Sequence, residues 1–187
     1  MKQRIITGSI CAVLFIGCLF LMNTIVFALV LSLMSAIAVH EVEKAVNLKN
    51  KPIMILSLLL AVAIPVLVHF NISVPVAAVG GIYVVLIFVL MLIKFEQTKF
   101  EEAVTAIFAS VCIPYSFSLF LVFRDINEHF SSYTKVDGIF LILFACFSAW
   151  LTDVFAYFVG SKLGKHKLCP KISPKKSVEG AVGGVAG

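Results

Sequence analysis

No charged residue occurs from Ile5 to Val39. A single helix of that length would reach about 50 Å, well beyond the roughly 30 Å hydrocarbon core of a bilayer, so the run must fold back on itself. Asn23-Thr24 is the turn-forming pair near its middle, which predicts one span over residues 5–22 and a second over 24–39. Further apolar runs predict spans over 52–70, 74–93, 103–123 and 138–160, and a seventh helix that starts at 179 and is followed to 187. The expected fold is all-α: a polytopic integral membrane helix bundle with six complete transmembrane helices plus the start of a seventh, in one transmembrane domain. Composition excludes the alternatives. With 61% of residues hydrophobic and 13% charged, the chain lacks the polar surface of a soluble domain, which runs about 25% charged. Seventeen Phe and long aliphatic runs exclude disorder. Pro65 and Pro114 fall inside the third and fifth spans, where each deletes a backbone donor and is expected to kink its helix.

The basic residues give orientation. With the N-terminus in the cytoplasm, thirteen of the fifteen Lys and Arg fall on the cytoplasmic side, and Arg124 and Lys135 are the two that do not. The net charge of +5 therefore reflects a basic cytoplasmic face that attracts anionic headgroups, not a nucleic-acid site. Lys2 and Arg4 ahead of an apolar run resemble a signal peptide, but no small-residue cleavage site follows, so the run is read as a retained span. The five cysteines (Cys11, Cys18, Cys112, Cys146, Cys169) show no CxxC spacing and are read as packing residues. The four histidines show no ligand spacing.

Two features carry candidate chemistry. Asp153 is an acid deep within the sixth predicted span, six or seven residues before its end at 160, and an intramembrane carboxylate must be solvated, paired or metal-bound. Tyr157, four residues on, shares its face. The plainer alternative is a packing role, with Asp153 hydrogen-bonded to a neighbouring helix. The second feature is the basic loop over 161–178. Ser173-Pro174 reads as a helix start, with Ser173 as N-cap and Pro174 at the first helical position. Lys175 and Lys176 in the same turn would then make a phosphate site, with Glu179 pairing a lysine or helping to hold a divalent cation. A polybasic loop ahead of a capped helix explains the same residues without a ligand. Gly180 and Gly184, and Gly183 and Gly187, lie four apart, the spacing of close helix packing.

The stretch Thr152-Asp153-Val154-Phe155-Ala156-Tyr157-Phe158-Val159-Gly160, then Leu163-Gly164-Lys165, then Ile172-Ser173-Pro174-Lys175-Lys176-Ser177-Val178-Glu179-Gly180 and Gly183-Gly184, resembles the bacterial phosphatidate cytidylyltransferases, or CDP-diglyceride synthases. That family's pattern is an Asp, then Ala-Tyr-Phe-x-Gly, a basic loop, and Ser-Pro-x-Lys-Thr-x-Glu-Gly ahead of a Gly-Gly pair. Ser177 stands where threonine is usual and keeps the hydroxyl. The opening Met1-Lys2-Gln3-Arg4-Ile5-Ile6-Thr7-Gly8 is similar to the family's start.

The resemblance implies a nucleotidyltransferase of the bacterial plasma membrane that moves CMP from CTP to phosphatidate, giving CDP-diacylglycerol and pyrophosphate, with Mg²⁺ as cofactor and a second copy of the chain as an open partner. It implies catalytic roles for Asp153 and Lys176, a metal-ligand role for Asp153, and substrate contacts at Ser173, Lys175, Ser177, Glu179, Gly183 and Gly184. The family's C-terminal signature of Lys-Arg, Lys-Asp, Pro-Gly-His-Gly-Gly and Asp-Arg is missing, so this chain is expected to be an inactive N-terminal fragment, with the remaining metal ligands in the absent part. Two other classes stay open: a CTP-dependent lipid kinase, and an ion-coupled transporter using Asp153.

Overall fold

A computed structural model describes residues 15–170 and 173–187 of the chain. It is an all-α polytopic membrane helix bundle with one small hairpin, divided into two compact units, residues 1–125 and 126–187. Among the described residues five helices are long and apolar enough to cross a bilayer.

The first unit holds α1 (Ile25–Ala45), α2 (Lys51–His69), α3 (Val76–Ile93) and α4 (Phe100–Arg124). Residues 5–14 of the first predicted span lie outside the described residues; residues 15–20 are helical, and the chain turns at Asn23-Thr24, where the Thr24 hydroxyl donates to the Leu21 carbonyl at 2.7 Å. Helices α1, α2 and α4 share a seam of small side chains: Ala28, Ser32 and Ser35 on α1, Ser57, Ala61 and Pro65 on α2, and Ala103, Ala106, Ser110, Pro114 and Ser118 on α4, all buried. Small residues let membrane helices approach closely, since apolar side chains gain little by leaving lipid for each other. Pro65 and Pro114 belong to this seam, and Ser32 on α1 donates to the Val62 carbonyl in the turn that Pro65 loosens, at 3.1 Å. Helix α3 buries only Tyr83, Ile87 and Met91, four residues apart on one face, against Leu48, Ile53, Ala103 and Ala106.

Helix α1 continues six residues past the predicted end at 39. That extension carries Glu43, which extends the buried series Ala28, Ser32, Ser35 and Val39 by one more turn and is itself fully buried. Ser57 donates to Glu43 Oε1, and Oε2 has no partner among the described residues. The sequence pointed to one acid deep in a span; the structure adds this second one, overlooked because Glu41, Glu43 and Lys44 mark a loop by charge while Glu43 keeps the helical spacing.

The second unit holds a single turn of helix, α5 (Ile126–His129), the long α6 (Lys135–Leu163), strands β1 (Lys167–Cys169) and β2 (Ser173–Ser177), and α7 (Val178–Ala186). Thr134 caps α6: its hydroxyl accepts from the Asp137 amide at 3.3 Å while the Asp137 carboxylate accepts from the Thr134 amide at 2.7 Å. Helix α6 begins three residues earlier and ends three residues later than its predicted bounds.

One local expectation is overturned. Ser173-Pro174 does not start a helix; Ser173–Ser177 is a strand, antiparallel to Lys167–Cys169, with Lys167 opposite Ser177 and Cys169 opposite Ser173. The N-cap is Ser177, whose hydroxyl accepts from the Gly180 amide at 3.2 Å. Capping preference is local and worth about 1 kcal/mol, so pairing with β1 decides where the helix begins. Residue Ser173 is also biased toward extended backbone because a proline follows it.

Candidate functional site

The second unit is assembled at the seam between α6 and α7. Thr152, Ala156 and Gly160 recur every four residues on α6, and Gly180 and Gly184 do so on α7. A Cβ on Gly180 would stand 2.9 Å from the Ala156 carbonyl oxygen and 3.0 Å from Gly160 Cα; one on Gly184 would stand 3.0 Å from the Thr152 carbonyl oxygen. The two backbones are thus in direct contact, and glycine is what permits it. Gly183 faces the Val159 side chain, where a Cβ would stand 2.5 Å from Val159 Cβ. The helix packing expected from the glycine spacing is present, and α6 is the partner.

This seam sets a cleft of about 490 Å³ between the C-terminal half of α6 and the hairpin. Asp153, Tyr157 and Gly160 line it from α6, Ser173, Lys175, Lys176 and Ser177 from β2, and Gly180 from α7. Five of the residues singled out in the sequence, Asp153, Ser173, Lys175, Lys176 and Ser177, therefore meet on one cavity. Asp153 is exposed to it and makes no hydrogen bond or ion pair among the described residues. Both lysines are exposed as well. A carboxylate and two ammonium groups around one open cleft suit a polyanion bound together with a cation.

Glu179, Gly183 and Gly184 do not line the cleft. The Glu179 carboxylate turns back to the connection between α6 and β1. There Oε2 accepts from the Lys165 amide at 3.1 Å, both oxygens accept from the His166 amide at 3.2 Å, and Oε1 lies 2.6 Å from His166 Nδ1. The Val178 amide donates to the His166 carbonyl at 2.9 Å, closing the clamp from the other side. The His166 ring first, then backbone amides, hold the Glu179 carboxyl down from its ordinary 4.5 to about 2. A lowered value means that the ionised form is the one that clamps: the contribution is complete above pH 4.5 and is lost as pH falls through about 2. Carboxyl-carbon NMR of the Glu179 side chain is expected to show a midpoint near 2, and a midpoint near 4.5 would mean that the clamp does not form in solution.

A single free carboxylate suits Mg²⁺ held partly by substrate, because that ion keeps several waters and takes only one or two protein carboxylates beside phosphate oxygens. Among the described residues no group of three or more His, Cys, Asp or Glu side chains converges. Among the described residues, Asp153 is the acidic side chain that lines the cleft.

Comparison with known proteins gives a consistent picture. The sequence profile of the Cytidylyltransferase family matches residues 2–187. A phosphatidate cytidylyltransferase of Bacillus subtilis (strain 168) is 32% identical over 190 residues, covering 99% of this chain and 67% of the relative. One of Aquifex aeolicus is 38% identical over 96 residues, or 51% of this chain and 34% of the relative. One of Staphylococcus saprophyticus is 56% identical over 52 residues, or 28% of this chain and 20% of the relative. The matched segments thus cover about two thirds of the Bacillus protein, about a third of the Aquifex one and a fifth of the Staphylococcus one. No solved structure matches it.

Proposed function

We propose, because this chain belongs to the cytidylyltransferase family, that it serves the transfer of the cytidylyl group of CTP to phosphatidate, forming CDP-diacylglycerol and pyrophosphate. The observation that carries this reading is the convergence of Asp153, Lys175 and Lys176 on one cleft beside an apolar span. A phosphate oxygen of phosphatidate attacks the α-phosphorus of CTP, the new P–O bond forms, and the bond to the β-phosphate oxygen breaks with its electron pair leaving on pyrophosphate. The attacking oxygen is already ionised, so the reaction asks the protein for alignment and charge neutralisation more than for a base.

Lys175 and Lys176 supply fixed positive charge at the hairpin, where the phosphates of nucleotide and lipid would meet. Asp153 would hold Mg²⁺, which when bound neutralises phosphate charge. Tyr157 and Gly160 line the cleft on the α6 side, where a lipid headgroup would enter while its acyl chains remain in the bilayer. The excess of lysine in the loop over 161–178 and in the other loops of that side supports a cytoplasmic hairpin and N-terminus, on the side where CTP is found.

In an enzyme that carries this segment, labelled nucleotide tests the reaction. With α-labelled CTP the label is expected in the lipid product, and with γ-labelled CTP in pyrophosphate; lipid labelled from the γ position would replace this reading with a lipid kinase. Lys176→Ala is expected to raise the KM for CTP about tenfold, the loss of one charge-assisted phosphate contact. Lys165→Ala, whose side chain does not line the cleft, is expected to change it less than about twofold. Steady-state kinetics on the two variants separates a phosphate site from a generally basic loop.

A further inference from the structure

The first unit has a cavity of its own, where the α1–α2 connection meets the α3–α4 connection. It measures about 620 Å³, within the range of small-molecule sites, and is lined by Asn47, Lys49, Glu96, Thr98, Lys99 and Glu102. Its walls are built. Asn47 turns the chain at the end of α1 in the left-handed conformation, with φ 57°. Asn50, fully buried, donates to Thr98 Oγ1 at 3.0 Å and to the Leu90 carbonyl at 3.1 Å, tying one connection to the other. Through Thr98, which lines the cavity, Asn50 fixes the position of that wall from behind.

The charges around this cavity are unusual in one respect. Lys49, Lys99, Glu96 and Glu102 share its lining, yet no ion pair joins any of them among the described residues. Glu102 accepts from the Lys99 amide at 3.3 Å and Glu96 is exposed. Lysines and glutamates that line one cavity without pairing leave a place for a ligand that carries both signs. Apolar surface adjoins it: Phe95 lines the cavity and is exposed, and Ile93 and Phe100, also exposed, end and begin the membrane-length helices on either side of that connection, near the depth at which acyl chains meet headgroups.

We infer that this cavity binds the headgroup of a zwitterionic phospholipid bearing a primary ammonium, with phosphate toward Lys49 and Lys99 and ammonium toward Glu96 and Glu102. Every residue involved belongs to the first unit and none lines the Asp153 cleft, so the inference does not depend on the reaction proposed there.

Native mass spectrometry of the purified chain, titrated with short-chain lipids, tests it. Phosphatidylethanolamine is expected to bind at least about fivefold more tightly than phosphatidylglycerol, which lacks the ammonium, or phosphatidylcholine, whose ammonium has no N–H to donate. Lys49→Gln combined with Lys99→Gln is expected to weaken phosphatidylethanolamine binding about tenfold, and Glu96→Gln to remove its advantage over phosphatidylglycerol. Lys94→Gln, exposed in the same connection but outside the cavity, is expected to change neither. All these side chains are exposed, so the variants keep the fold. Phosphatidylglycerol binding as tightly as phosphatidylethanolamine would overturn the assignment in favour of a general basic surface. So would a double lysine variant that binds unchanged, or an equal loss in Lys94→Gln.

Discussion

Asp153→Asn is expected to lower CDP-diacylglycerol formation by about 100-fold or more in an enzyme carrying this segment, the loss typical of removing one group that stabilises transition-state charge. The substitution keeps the shape of the side chain and removes its charge. Because Asp153 makes no hydrogen bond or ion pair among the described residues, nothing in the fold relies on its carboxylate. Membrane insertion and thermal stability should therefore match the parent while turnover collapses. Near-normal turnover would remove Asp153 from the reaction and move the cation elsewhere. Measuring turnover across a range of Mg²⁺ concentrations sharpens the result, since a lost ligand raises the metal requirement and a lost packing contact does not.

Gly180→Val is expected to be as damaging by an opposite route. Its first added atom would stand 2.9 Å from a backbone carbonyl oxygen of α6, and backbone cannot turn aside as a flexible side chain can. Overpacking of this kind costs about 1–3 kcal/mol, a large share of what holds a nine-residue helix in place. Helix α7 should detach, and with it Ser177 and the hairpin that bears Lys175 and Lys176. Limited proteolysis would then cut the 164–178 segment readily, and activity would fall with it. Gly80→Ala serves as the control: a Cβ there meets nothing within 4 Å, so the change is expected to be neutral, or to stabilise α3 by up to about 1 kcal/mol. Equal proteolytic resistance in Gly180→Val and the parent would mean that the seam is looser than its backbone contacts require.

Much of the architecture is legible in the chain because the bilayer imposes it. A charge-free run too long for one crossing must turn, and Asn23-Thr24 does turn. The gathering of Asp153 with Ser173, Lys175, Lys176 and Ser177 on one cleft was foreshadowed by their shared motif, and the four-residue spacing of Gly180 and Gly184 announced a close helix partner. What failed was local. Ser173-Pro174 has the chemistry of a helix start, but a strand partner four residues upstream of Ser173 outweighs it, and short pairings of exposed residues leave no hydrophobic alternation to read. Glu43 failed for the reverse reason: its charge suggested a loop, while its spacing from Val39 and Ser35 placed it on the seam. Glu179 was legible as a residue of interest, but its partners, the amides of Lys165 and His166, are backbone groups that no residue pattern identifies.

The length of α6 has a kinetic consequence. Twenty-nine residues extend about 43 Å, enough to cross the headgroup layers as well as the hydrocarbon core of a bilayer. Asp153 lies ten residues before Leu163, about 15 Å along the axis from that end, which for a helix centred on the bilayer is roughly 8 Å inside the hydrocarbon boundary. A lipid can therefore come to the cleft sideways, by diffusion in the plane of its own leaflet, without being lifted into water. On the proposed reading, the collision frequency with phosphatidate is governed by its mole fraction in the bilayer. Mixing inert lipid into the vesicles should slow turnover at a fixed total amount of phosphatidate, whereas diluting the whole suspension with buffer at constant CTP should leave turnover per enzyme unchanged.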